Sequence, residues 1–257
     1  MNKRSSKQPP LQTVERALNF LECVAGRESP PTVQQVASEL GLNITTCYHL
    51  MRTLIGRGYL ERRPDLTLTL GASVGALFNQ YRRSFNVSEK LAALVNDLAH
   101  KSDETAFFST LEPNNRVILK VLVEGSQPLR VSGLYVGLTG REYIRAAGKA
   151  VLAHLDPERQ RDMVLKDLGE YTKAQQENLL AALEREFEVI RRQGWAVDAQ
   201  ETTLGISAIG APVFDKDGKV CGAVGIVAPT SRMTGAHSER VHDVLDAARQ
   251  ATGLVST

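Results

Sequence analysis

Cysteine is scarce in this 257-residue chain, and the three present, Cys23, Cys47 and Cys221, stand far apart with no C-x-x-C pair. That spacing excludes a dithiol redox motif and a thiolate metal finger. Cys23 and Cys47 fall at inward positions of predicted helices and Cys221 in a predicted strand, so buried structural thiols are expected. Also missing is any apolar run near the ~18 residues that read as a membrane span. The N-terminus has no signal-peptide pattern. The expectation is a soluble, cytoplasmic protein. There is no H-E-x-x-H, no P-loop and no G-x-S-x-G. His237 and His242 are five apart on a predicted helix and face different ways, and His100 and His154 are isolated. No catalytic residue, metal ion or cofactor is expected. Lys149 and Glu201 are the groups an acid–base step would have to recruit; the plainer reading is that Lys149 offsets a helix end or a neighbouring carboxylate.

Charge is nearly balanced overall, at +2, but it is unevenly spread. Residues 1–86 hold eleven Lys and Arg against six Asp and Glu, while the remainder holds twenty against twenty-three. A weakly basic front on a weakly acidic body suits a DNA-docking domain joined to a neutral sensing domain. With 42 % hydrophobic residues, the chain is long enough for two compact domains.

The most informative segment is 32–54, TVQQVASELGLNITTCYHLMRTL. Thr32 and Gln35 form a capping box. Val33, Val36, Ala37 and Leu40 give the first helix one buried face. Gly41 supplies a left-handed stop, and Asn43 caps the second helix. In that helix Cys47, Leu50, Met51 and Leu54 point inward. Thr45, Thr46, Tyr48, His49 and Arg52 face outward with Ile44, as a helix laid in a major groove requires. The plainer alternative is a helical hairpin that only packs. Residues 59–63 and 66–70 around Pro64-Asp65 read as a two-stranded wing with Arg62 and Arg63 at its tip, placed for phosphate contacts. An upstream helix, about 13–25, with Val14, Leu18, Leu21 and Val24 on one face completes a winged helix-turn-helix domain over 11–71. Residues 1–10 read as a disordered basic tail. Residues 72–86 form a linker helix whose apolar stripe (Val74, Leu77, Phe78, Tyr81) covers either its own winged domain or a second copy.

The rest, 87–254, shows a helix to Ser102, strands at 105–111, 116–124 and 129–136, and helices over 147–155 and from Pro157. A capping box at Thr172 and Gln175 opens a long helix that Gly194 ends. A hairpin, 206–214 and 219–227, precedes a last helix near 236–252. Without βαβ alternation, an α+β domain with an antiparallel sheet covered by helices is expected.

Several stretches carry a family resemblance: ERALNFLECVAG, ASELGLNITTCYHLMRTLIGRGYLERR and LTLG in the front half, then AAGKAVLA, GWAVDAQETTLGISAIGAPVFDKDGKVCGAVGIVAP and SRMT. Over about residues 11–254 the chain resembles the IclR-type transcriptional regulators. The resemblance implies an N-terminal winged helix-turn-helix, a linker helix used in dimerisation, and a C-terminal GAF-like antiparallel-sheet domain that binds a small effector. It also implies a homodimer or tetramer acting on an operator in double-stranded DNA, often of a catabolic operon. Ile44 stands where relatives commonly have a basic residue and His49 where many have arginine, so an operator does not carry over. Leu68 replaces the wing's usual aromatic. By position, the resemblance points to Ala146, Ala147, Asp198, Ile206, Ala208, Gly225 and Val227 as effector-binding, with Leu129 and Ser132 on the preceding strand. A helix beginning near Ala146 would offer unpaired N–H groups to a carboxylate; read without the resemblance, these are core residues and a turn acid. A small organic or aromatic acid is the expected effector. The alternative is a metal- or redox-responsive regulator acting through Cys221.

Overall fold

The structure is a computed structural model and describes residues 11–27, 29–83, 87–128, 131, 133–235 and 237–255. The predicted tail at 1–10, the last three residues of the predicted linker and the predicted site residues Leu129 and Ser132 lie outside the described residues. The chain divides into two compact units, residues 1–84 and 85–257.

In the first unit, α1 (Gln12–Ala25), α2 (Val33–Leu40) and α3 (Ile44–Gly56) precede a wing of β1 (Leu60–Arg62) and β2 (Leu68–Leu70), and α4 (Ala72–Arg83) follows. Local chemistry sets the turn between α2 and α3. Thr32 and Gln35 form the reciprocal capping box, Gly41 takes the left-handed conformation at φ 61°, and the Asn43 side chain accepts from Thr45 N at 2.8 Å. Phe20, Val36, Cys47, Leu60 and Leu68 are the centre of the core. The wing is tied back to the start of α2 by an isolated bridge between Thr32 and Thr67 and by Leu68 N donating to Pro31 O at 2.8 Å.

The expected buried face of α1 needs correction. Phe20, Cys23 and Val24 are buried, whereas Val14 and Leu18 are 53 % and 54 % exposed. They line an apolar groove of about 590 Å³ with Leu21, Leu70, Val74 and Leu77. Of the stripe read as core, Val24 is buried and Leu21 packs against the core, while Val14 and Leu18 form a surface of this unit.

The second unit opens with α5 (Glu89–Ser102) and the hairpin β3 (Thr105–Glu112) and β4 (Arg116–Val123). Then come α6 (Ala146–Leu152), α7 (Pro157–Leu165), α8 (Lys173–Gln193), β5 (Ala196–Ala199), β6 (Ile206–Phe214), β7 (Val220–Pro229), α9 (Thr230–Gly235) and α10 (His237–Val255). The five strands form one antiparallel sheet in the order β4-β3-β7-β6-β5. Period-two alternation sorts its faces. Ile209, Ala211, Val224 and Ile226 pack against Val95 of α5 and Val244 of α10, while Phe107, Leu119 and Ala223 meet α6 and Phe187 of α8. This is the expected α+β architecture, helices covering both faces of an antiparallel sheet.

Three readings differ in detail. The predicted strand over 129–136 is irregular where it is described; its ladder contacts come just after it, where Leu119 N donates to Leu138 O at 3.0 Å and Gly137 N to Leu119 O at 2.7 Å. The edge strand β5 was not expected, since four residues are too few to show alternation. Helix is also present ahead of the predicted start of the last helix, over α9 (Thr230–Gly235).

Candidate functional site

The leading turns of α3 carry the predicted reading residues. Thr45, His49 and Arg52 are exposed and, at spacings of four and three, share one helix face. Thr46 and Tyr48 are half-buried, and Tyr48 leans on the core of the unit with its hydroxyl 3.4 Å from Gln34 Nε2. Arg62 and Arg63 are exposed at the wing tip. Asp65 Oδ1 closes that turn by accepting from Thr67 N at 3.1 Å and Thr67 Oγ1 at 2.7 Å, and these bonds hold its carboxyl below the ordinary range.

The second unit holds a cavity of about 250 Å³. Six of the expected positions line it: Ala146 and Ala147 from the first turn of α6, Asp198 from β5, Ile206 and Ala208 from β6, and Val227 from β7. Gly225 is not on the wall. It lies against the backbone of β6 and the ring of Phe107, where a Cβ would come within 2.6 Å of the ring and 2.0 Å of Ile209 O. Its hydrogen in place of a side chain lets Phe107 reach the cavity floor.

Asp198 lines the cavity and also shapes a turn. It is buried, and its Oδ1 accepts from Glu201 N at 2.8 Å and Thr202 N at 3.2 Å, which shapes the loop 199–205. The same loop is gripped from behind by Lys149, only 1 % exposed. Its Nζ donates to Glu201 at 2.5 Å, Glu186 at 2.8 Å and Val197 O at 3.1 Å. Lys149 therefore offsets neighbouring carboxylates, as its plainer reading required.

Two charged residues of the site were not found from sequence. Glu142 is buried at the end of the loop that walls the cavity; its Oε1 accepts from Val117 N, Gly140 N and the Thr139 hydroxyl, and its Oε2 pairs with Arg116 at 3.1 Å. Arg145, the residue preceding α6, also lines the cavity. A basic residue set directly before the small-residue run AAGK was the available signal.

Cys221 sits elsewhere, half-buried on β7, with its thiol donating to Val213 O at 3.4 Å. Burial, and then the nearby Asp215 carboxylate, push its pKa up. A thiol kept protonated lacks the electropositive setting that reactivity needs. Among the described residues, no helix is long and apolar enough to cross a membrane.

Comparison with known proteins gives these units a common source. The pattern described as "Bacterial transcriptional regulator IclR C-terminal" matches residues 79–253, and the IclR helix-turn-helix domain matches residues 13–64. The glycerol operon regulatory protein of Streptomyces griseus is 30 % identical over 224 residues, 87 % of each chain. The transcriptional repressor IclR of Escherichia coli is 25 % identical over 252 residues, 94 % of this chain and 89 % of its own. A crystal structure of an IclR-type regulator from Alicyclobacillus acidocaldarius superposes with a TM-score of 0.70 at 25 % identity, covering 96 % of this chain and 98 % of that one. The chain belongs to the IclR family of transcriptional regulators, with an N-terminal DNA-binding helix-turn-helix domain and a C-terminal antiparallel-sheet domain.

Proposed function

We propose that the chain is a cytoplasmic, homo-oligomeric regulator whose operator affinity is set by a small organic acid held in the cavity of the second unit. The reading is carried by one observation: residues from four separated segments, α6, β5, β6 and β7, converge on a single cavity, while the polar reading face lies in the other unit. Thr45, Thr46, Tyr48, His49 and Arg52 are the proposed groove and phosphate contacts, with Arg62 and Arg63 on the phosphates through the wing. The effector acts by population shift, binding better to one spacing of two paired winged units, with a coupling of typically about 1–3 kcal/mol. The name of the Streptomyces griseus relative, an operon regulator for glycerol, supports control of a carbon-source operon.

The partner for pairing is a second copy. The groove lined by Val14, Leu18, Leu70 and Leu77 leaves large apolar side chains in water, Leu77 at 57 % exposure, on the unit that must be duplicated. Leu18→Glu with Leu77→Glu should shift the protein toward monomer in sedimentation velocity while an unchanged circular dichroism spectrum shows the fold is kept. An unchanged assembly would move the interface elsewhere.

Anisotropy with the DNA upstream of the protein's own gene, against random duplex, tests the whole reading. A salt-sensitive preference for that DNA is expected, altered by an added acid. Thr45→Ala should relax base preference at one position of each half-site, by about 1–3 kcal/mol of discrimination. A loss equal on all sequences would instead make Thr45 a backbone contact.

A further inference from the structure

The proposed effector cavity is lined by Arg145, a cation that has no direct ion-pair contact among the described residues, although the carboxylates of Glu142, Asp167 and Asp198 act on it from further away. Arg145 makes one hydrogen bond, Nη2 to Val117 O at 3.1 Å. Its Nε is buried and has no hydrogen-bond partner. Among the described residues no carboxylate lies within ion-pairing distance of its guanidinium, and the acids around it are engaged elsewhere. Glu142 holds Arg116 and the loop amides, Asp167 holds Arg116 at 3.0 Å and Arg141 N at 2.5 Å, and Asp198 shapes its own loop. Burial, the largest influence on Arg145, presses its pKa below the ordinary guanidinium value. Buried charges in folded proteins are otherwise paired, and an arginine fork matches a carboxylate with two parallel hydrogen bonds.

The remaining wall is mostly apolar, with Phe107, Leu119, Leu138 and Val227 around the open space. Asp198 places a negative charge on the same wall, which opposes a second anionic group on the ligand. Arg141 is also at the cavity but is exposed, where water and salt screen it. The seven-residue α6 is too short to serve as the anion site by itself.

We infer that Arg145 is the specificity-determining residue of the cavity, and that the site takes an organic monocarboxylate about the size of benzoate or hexanoate. The carboxylate pairs with the guanidinium and the apolar body packs on Phe107 and Leu138. This rests on reading the cavity as the effector site, and it adds which residue recognises the effector and what charge the effector carries.

The test uses the full chain and thermal-shift titrations with benzoate, phenylacetate and hexanoate, each against its neutral carboxamide, and with phenyl phosphate. At least one acid should raise the melting temperature while its amide does not. In Arg145→Met and Arg145→Gln the same acid should bind at least about tenfold more weakly. Without ligand, Arg145→Met should melt no lower than wild type, since it removes a half-buried charge whose buried Nε has no partner; Arg145→Gln keeps a donor toward Val117 and controls for that bond. Acids that stabilise both variants as well as wild type, amides as effective as acids, stabilisation by phenyl phosphate alone, or no stabilisation by any acid would each overturn the assignment. Operator anisotropy separates the two readings. An acid that binds through Arg145 and leaves operator affinity unchanged keeps the anchor and removes the effector role. An acid that changes operator affinity equally in Arg145→Met keeps the role and removes the anchor.

Discussion

Gly148→Ala should lower the melting temperature of the C-terminal unit by roughly 4–8 °C and abolish its response to any acid. The reason is distance. A Cβ added at Gly148 would sit 2.1 Å from Glu142 O, 2.5 Å from Glu142 Cα and 2.6 Å from its carbonyl carbon. All three are backbone atoms, so no side chain can rotate away, and α6 or the Glu142 segment must move. Overpacking of this kind costs up to about 3 kcal/mol and occasionally more. Alanine's better helix propensity recovers about 1 kcal/mol at most. For a unit of this size each kcal/mol is worth about 2–4 °C, and backbone contacts on three atoms place the net cost at the upper end. Displacing Glu142 also loosens Val117 N, Thr139, Gly140 N and Arg116, which its carboxylate gathers, and with them the loop that walls the cavity. Calorimetry with and without acid measures both effects, and binding to random duplex should persist, because the helix-turn-helix core lies in the other unit. A melting curve unchanged from wild type would mean that α6 shifts as a body at little cost.

What was legible in the sequence was what is decided locally. Thr32, Gln35, Gly41 and Asn43 act within one or two turns of their own positions, so the turn between α2 and α3 could be read residue by residue. The inward set of α3, Cys47, Leu50, Met51 and Leu54, follows from helical spacing alone. On α1, spacing offers two overlapping apolar stripes, and it cannot say which one a neighbour covers; Phe20, Cys23 and Val24 are buried, and Val14 and Leu18 are left outside. Of the positions that the family resemblance singled out, Ala146, Ala147, Asp198, Ile206, Ala208 and Val227 line the cavity, whereas Gly225 is packed behind Phe107. Arg145 and Glu142 were missed because their roles depend on β4, which lies more than twenty residues earlier: Arg145 bonds Val117 O, and Glu142 accepts from Val117 N. No local pattern reports such a pairing.

Removing two charges from the wing, Arg62→Ala with Arg63→Ala, should weaken binding to every DNA sequence by the same factor and flatten its salt dependence. The wing is held rigidly enough for this to be a clean change. Arg62 pairs with Leu68 and Leu60 with Leu70 across the two strands, and the buried Leu68 and the bridge to Thr32 fix the hairpin against the start of α2. Both arginines are exposed and outside the core, so the melting temperature of the first unit should stay put. Each phosphate contact contributes about 0.9 to the slope of log K against log salt. In a two-fold complex the double substitution removes four contacts, so the slope should fall by about 3–4, and the deficit relative to wild type should grow roughly a hundredfold as salt drops from about 200 to 50 mM. That signature differs from the one expected at α3, where Thr45→Ala changes which base is preferred and leaves the slope alone. Anisotropy titrations at four or five salt concentrations, on the operator and on random duplex, read both quantities at once. Parallel salt lines for wild type and variant would take the wing off the phosphate backbone and leave the whole electrostatic share of binding to the helices.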